Sequence, residues 1–187
     1  IIGMHNIQNA LVEIGLAHHA GLPISNCIKA LEQLPQAPGR LEKISSPKGW
    51  TAFVDYAHTP DALQKSLETI KEVATGRVLL VFGCGGDRDR KKRPLMGRIA
   101  EQHSDYSIVT SDNPRTDDPA AILRDICEGY EHPPIQIIDR REAIHTAILE
   151  LKKDDILLVA GKGHENYQII GIESHHFDDR EIIAEFI

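Results

Sequence analysis

Cysteine is scarce in this 187-residue chain: Cys27, Cys84 and Cys127 are odd in number, lie far apart and never fall into a CxxC spacing. Neither a disulfide framework nor a zinc knuckle is indicated, and a reducing, cytoplasmic compartment is expected. Aromatic residues make up only 5% of the chain, and no apolar run approaches the length of a membrane span. There is no Ser/Gly/Pro-rich tract and no basic segment ahead of an apolar one, so neither gross disorder nor a secretory signal is expected. Positive charge is in deficit, and a net charge of -7 argues against a nucleic-acid surface. GKT and GKS do not occur, so no P-loop is present. The chain opens on Ile1 rather than Met, inside what reads as structure, and is expected to be a piece of a longer one.

What is present divides in two. From Asn6 to Ala20, Ile7, Ala10, Leu11, Ile14 and Ala17 recur at helical spacing, and Gly21 and Pro23 stop the pattern. A second helix is expected from Ser25, as its N-cap, to Leu34, with Cys27, Ile28, Leu31 and Leu34 on one face. LPQAPGR (34–40) then breaks the periodicity, placing a boundary between residues 1–38 and 39–187. Beyond it strands and helices alternate: TAFVDY, RVLLVFG, YSIVT, IQIID and DILLVAG read as strands, with helical segments between them and DDREIIAEFI closing the chain. Strands as apolar as VLLVFG and ILLVAG suit a sheet covered on both faces. The expected fold is therefore α/β, a doubly wound, mostly parallel Rossmann-like sheet preceded by two helices. In such sheets ligands bind beyond the strand C-termini, so GCGGDRDRKK, SDNPRTDD and GKGHENYQ should share one rim.

Taken singly, these loops say little. GCGG (83–86) fits neither GxGxxG nor GxxxxGK[ST], and Lys162, His164 and Glu165 of GKGHEN sit in a loop rather than on a helical zinc motif, so no metal site is expected. The pairs His18/His19 and His175/His176 are sequence neighbours whose rings should point apart into solvent. Asp and Pro around Arg115 supply turns and helix caps at any strand-to-helix junction. Six cationic residues nevertheless gather between Gly85 and Arg98 of an acidic chain, which suggests small anionic ligands.

The joint order GMHNIQN, APGRLE, VDYAHTPDAL, FGCGGDRDRKKRPLMG, TSDNPR, GKGHE resembles the Mur ligases of peptidoglycan synthesis, over essentially the whole chain. DNPR is the signature of the branch that adds meso-diaminopimelate, rather than lysine, to UDP-N-acetylmuramoyl-L-alanyl-D-glutamate. The resemblance implies the last helices of a central ATPase domain (1–38) followed by the amino-acid-binding C-terminal domain (39–187). It also implies an ATP- and Mg2+-dependent amide ligase, with the N-terminal domain, the P-loop, a carbamylated lysine and the metal ligands upstream. ATP phosphorylates the acceptor carboxylate in that family, and the incoming amine attacks the acyl phosphate. No catalytic residue and no activity is expected of this stretch alone.

Carried over residue by residue, the resemblance puts Asn6 and Asn9 near adenine, Arg40 near the phosphates, Asp55 on the ribose and His58 close to the nucleotide. Without it, Asn6 also reads as a helix cap, Arg40 as a solvated linker charge and Asp55 as a strand-end turn residue. Diaminopimelate has an amino-acid head at both ends, so one ammonium and carboxylate must be held while the other amine reacts. Arg115 offers a bidentate fork for that carboxylate, which lysine cannot imitate. Pro114 stiffens the loop and biases Asn113 to an extended backbone. Arg88 is implied as a second carboxylate contact, with Gly161 and Glu165 completing the cage; Asp112 either touches the ligand or orients Arg115. The alternatives are a lysine-adding relative, a non-catalytic binding module and another ligase of the superfamily such as folylpolyglutamate synthase.

Overall fold

The computed structural model describes residues 4–33 and 36–187; Gly3 of the first motif and Leu34 of the second helix lie outside them. The chain folds as two units, 1–37 and 38–187. In the first, α1 (Met4–His19) and α2 (Ile24–Gln33) form a helical pair. Gly21, at φ 97°, makes the turn, its N–H bonding the His18 carbonyl at 2.9 Å. Ser25 is not the N-cap expected of it. Pro23 takes that place because its carbonyl already accepts the N–H groups of Asn26 and Cys27, which puts Ser25 inside the helix. Likewise Asn6 lies within α1, not at its cap.

The second unit runs β1 (Glu42–Ser45), β2 (Thr51–Asp55), α3 (Pro60–Lys71), β3 (Val78–Phe82), α4 (Lys92–His103), β4 (Tyr106–Val109), α5 (Pro119–Cys127), β5 (Ile135–Gln136), α6 (Arg140–Glu150), β6 (Ile156–Ala160), β7 (Tyr167–Ile170), β8 (Glu173–His176) and α7 (Asp179–Ala184). Six strands form one sheet in the order β1-β2-β6-β3-β4-β5, with β1 antiparallel and the rest parallel. The doubly wound α/β expectation is met, with an added antiparallel edge strand.

Every residue of β3 and β6 is buried. Because side chains alternate along a strand, Ala52, Val54, Leu79, Val81, Ile108, Leu157 and Val159 meet α6 and α7 through Ala143, Ile144, Ala147, Ile182 and Ile183. The other parity, Phe53, Leu80, Phe82, Val109 and Leu158, is buried too, as are Leu63, Leu67 and Ile70 of α3, Met96 of α4 and Ile126 of α5. Burying one such Leu or Ile side chain stabilises the fold by about 1.5–3 kcal/mol. Two helices start on a polar cap followed by proline: Thr59 Oγ1 accepts from Ala62 N, and Asp118 Oδ1 from Ala120 N. Those starts fix where the loops after β2 and β4 must end.

Candidate functional site

The loop after β4 continues the sheet for one residue, with Thr110 N donating to Phe82 O at 2.9 Å, and then turns inward. Asp112 and Asn113 are buried. Arg115 stands at φ 50°, a left-handed conformation that costs a side-chain-bearing residue about 1–3 kcal/mol. Neighbours hold it there. Its N–H donates to Ile169 O at 3.1 Å, and its carbonyl accepts from Gly171 N at 2.7 Å, so the β7–β8 hairpin docks along the loop.

Nη1 of Arg115 donates to Gly86 O at 3.0 Å and to Asn113 O at 3.4 Å. Among the described residues its Nε and Nη2 meet no acceptor. That edge is the pair of parallel donors that matches a carboxylate. The stem of Arg88 passes nearby: a Cβ placed on Gly85 would sit 3.0 Å from Arg115 Nη1 and 3.7 Å from Arg88 Cγ. Gly86 cannot carry a side chain because Pro114 O is 1.8 Å from where its Cβ would be.

The loop after β6 completes this wall. Gly161, at φ 116°, brings its backbone against Asp112, whose Oδ2 would be 2.5 Å from an added Cβ. Asn113 is the keystone: Nδ2 donates to Glu165 Oε2 at 2.9 Å, while Oδ1 accepts from Ile169 N at 3.0 Å and from Lys162 Nζ at 3.3 Å. Lys162, fully buried, also donates to Glu165 Oε2 at 3.3 Å and to Tyr167 O. Burial raises the Asp112 carboxyl above the usual carboxylate range, opposed by the charges of Arg140 and Lys162. Burial likewise lowers the Lys162 ammonium, opposed by Asp112. The sequence-predicted set Arg88, Asp112–Arg115, Gly161 and Glu165 is thus on one rim, with Arg115 anchored by carbonyls rather than by Asp112.

The residues expected to face a nucleotide behave differently. Asp55 is buried, and its carboxylate takes Leu41 N at 2.7 Å, Ala57 N at 2.9 Å and Ser66 Oγ at 3.0 Å. A carboxylate has about four acceptor positions, so at most one is left for a ribose hydroxyl. Arg40 lies 5.3 Å above the Tyr56 ring, whose other neighbours are His58 at 4.6 Å and His164 at 5.3 Å. Lys92 Nζ donates to His58 O at 2.6 Å. Arg40, His58 and His164 are all exposed. Asn6 and Asn9, three apart on α1, belong to the other unit.

Residues 39–163 match the family described as "Mur ligase, glutamate ligase domain". The chain belongs to the Mur ligase family. The matched segment holds Arg40, Asp55, His58, Arg88, Asp112–Arg115 and Gly161. A UDP-N-acetylmuramoyl-L-alanyl-D-glutamate--2,6-diaminopimelate ligase from Bacillus cereus is 48% identical over 188 aligned residues, covering 100% of this chain and 38% of the relative. A solved structure of a ligase of the same name superposes with a TM-score of 0.79 at 42% identity, covering 100% of this chain and 39% of its own. Folylpolyglutamate synthase from Thermotoga maritima, at 24% identity, a TM-score of 0.67 and coverage of 86% of this chain and 36% of its own, shares the fold. This Mur ligase chain therefore spans about two fifths of the length of the relatives it matches.

Two residues of this Mur ligase domain escape a reading of its sequence. Lys162 was legible only as a loop lysine, a type that is usually solvated; its neighbouring glycines were the one signal of a tight, enclosed turn. Arg140, at the start of α6, reads as a surface charge next to Arg141 and is instead buried. Among the described residues no group of three or more His, Cys, Asp or Glu could hold a metal ion. No helix of the described residues is long and apolar enough to cross a membrane.

Proposed function

We propose that this chain supplies the amino-acid half of an ATP-dependent ligase that adds meso-diaminopimelate to UDP-N-acetylmuramoyl-L-alanyl-D-glutamate. One observation carries the reading: the Nε/Nη2 edge of Arg115, which meets no acceptor among the described residues, shares a rim with Arg88 and with Glu165, which Asn113 and Lys162 hold in place. Arg115 forks the distal carboxylate, Arg88 assists it, and Glu165 and Asp112 face the distal ammonium. Gly161 lets the ligand approach the backbone. With its far head fixed, the amino acid presents its other amine to the acyl phosphate: nitrogen bonds to the carbonyl carbon, phosphate leaves with the C–O electron pair, and the amine gives up a proton.

The acyl phosphate is made elsewhere. ATP transfers its γ-phosphoryl group to the acceptor carboxylate in the region that fills the rest of the relatives' length, where a P-loop and Mg2+ belong. The described residues offer Mg2+ no cluster of donors, and no step here runs through it. Residues 1–38 are the end of that ATPase domain and 39–187 the amino-acid domain. Asn6 and Asn9 serve adenine, and Arg40, Asp55 and His58 the phosphates and ribose. The partners are meso-diaminopimelate, the UDP-linked dipeptide and the other domains of the ligase, in the cytoplasm.

Calorimetric titration of the 187-residue chain tests this directly. Meso-diaminopimelate should bind, L-lysine should bind about a thousandfold more weakly because it strands Arg115 without its carboxylate, and ATP with the acceptor should give no turnover. Equal binding of the two amino acids would favour the lysine-adding alternative, and turnover would overturn the division of labour.

A further inference from the structure

The first residue of α6 is a charge with no access to solvent. The side chains of Arg140 and Asp179 are both 0% exposed. Nε and Nη2 of Arg140 fork the two carboxylate oxygens of Asp179 at 2.8 Å each. The outer donors reach elsewhere: Nη1 donates to Ser111 O at 3.2 Å and Nη2 to Ala160 O at 3.1 Å. Ser111 immediately precedes Asp112, and Ala160 immediately precedes Gly161.

The Ser111 carbonyl lies two residues past β4 and the Ala160 carbonyl ends β6, and these strands are not neighbours in the sheet, since β3 lies between them. One guanidinium therefore bridges the end of β3 and joins the last residue before each ligand loop. The two loops then meet tightly: Gly161 stands so close to Asp112 that a Cβ would be 2.5 Å from Oδ2, and Asn113 Nδ2 donates to Glu165 at 2.9 Å. Only a planar fork with several fixed donors can satisfy a carboxylate and two carbonyls at once. A lysine ammonium is a point charge with three donors and would have to abandon at least one of these four bonds. The positive charge also opposes the burial of Asp112, which places an electrostatic link beside the mechanical one.

We propose that Arg140, anchored by Asp179, is a positioning residue of the amino-acid site: it sets the spacing between the Asp112–Arg115 loop and the Gly161–Glu165 loop. Calling that rim an amino-acid site rests on the function proposed above; the alignment of the loops does not.

Hydrogen exchange on the 187-residue chain separates the two questions, with Arg140→Lys and Asp179→Asn compared with Arg141→Lys, a control in an exposed ion pair with Glu185. In both test variants the amides of 112–115 and 162–169 should exchange about tenfold faster while those of β3 stay unchanged. Unaltered loops would overturn the proposal, as would acceleration spread evenly over the domain or failure of both variants to fold, since either would make the pair a general core element. Titration with meso-diaminopimelate is the second arm, with about tenfold weaker binding expected in both test variants and none lost in the control. Unchanged affinity alongside loosened loops would overturn the positioning role; no binding even by the wild-type chain would overturn the amino-acid reading, leaving the exchange result to judge the loop bridge.

Discussion

The two halves of the rim are built to different standards. Around Arg115, the Arg115 backbone and Nη1, the Asn113 amide and Glu165 Oε2 are bonded to neighbouring loops, and Asp112, Asn113 and Lys162 are buried. Around Tyr56, by contrast, Arg40, His58 and His164 are exposed and, besides one local hydrogen-bond contact from His58 Nδ1 to Tyr56 O at 2.8 Å, meet its ring at 4.6–5.3 Å. Such contacts hold side chains loosely, because a cation over an exposed ring contributes only about 0.5–1 kcal/mol. The first half is locked by hydrogen bonds between its loops, whereas the second brings one guanidinium and exposed rings together by looser contacts. Substitutions should therefore act sharply on one side and softly on the other.

The largest expected effect is at Arg115. Arg115→Lys keeps a positive charge but loses the side-on fork and the Nη1 bond to Gly86 O, so binding of meso-diaminopimelate to the chain should weaken by about a hundredfold or more. A calorimetric affinity within a few fold of wild type would remove Arg115 from the carboxylate role. If the contrast between the halves is real, Arg40→Lys in the same titration changes nothing.

Lys162→Met comes next. It deletes the ammonium bonded to Glu165, Asn113 and Tyr167 O and leaves Glu165 with only the neutral partners Asn113 and Tyr167, a loss of roughly 3–5 kcal/mol. Denaturant melts should show it. Because the folded-state pKa of Lys162 is lowered, the unfolded chain binds more protons in the window between that value and its ordinary 10.5. Wild-type stability should accordingly gain from Lys162 as pH rises through that window, and the slope should vanish in Lys162→Met. A slope that survives would assign it to another group.

These residues also show why part of the molecule was legible and part was not. VLLVF and ILLVA can only be strands buried on both faces, and Thr59-Pro60 and Asp118-Pro119 can hardly be anything but helix starts. The rim follows from that order of strands, so Arg88, Arg115 and Glu165 could be expected together. EKIS, YQII and ESHH could not be read as strands: they are short, the edge strand alternates only between partly buried and exposed residues, and β8 is exposed throughout. The hairpin is nonetheless what pins Arg115 at its positive φ. Lys162 and Arg140 were missed for a related reason. A sequence shows that a residue is charged, but only the tertiary fold shows that the charge is enclosed.

Asp55 tests the softer half. With three protein donors on its carboxylate, one of them from Leu41 at the start of the domain, Asp55→Asn must turn an NH2 toward one of those donors. Stability should fall by about 1–3 kcal/mol, read as a lower denaturation midpoint, while meso-diaminopimelate affinity stays within a factor of about three. In the complete ligase, a KM for ATP that rises alone would support a ribose contact. An equal rise for both substrates would make Asp55 a support of the linker only.

The smallest effect belongs to the hairpin's outer edge, where His176 Nε2 lies 2.7 Å from Glu181 Oε2 on α7. The bond and charge of Glu181 raise the imidazole above its ordinary 6.5. A raised folded-state pKa means that the folded chain binds more protons than the unfolded one between the two values, so this contact stabilises fully below 6.5 and is lost as pH rises through the higher value. Both groups are exposed and salt will screen them. The wild-type chain should therefore melt slightly higher at about pH 5.5 than His176→Gln does, with the difference gone at about pH 8.5. Binding of meso-diaminopimelate should not follow that titration, because Arg115 is fixed to the hairpin through backbone bonds to Ile169 and Gly171 rather than through β8 side chains. An affinity that did fall with the deprotonation of His176 would show that the hydrogen-bonded half of the rim reaches further outward than its buried bonds imply.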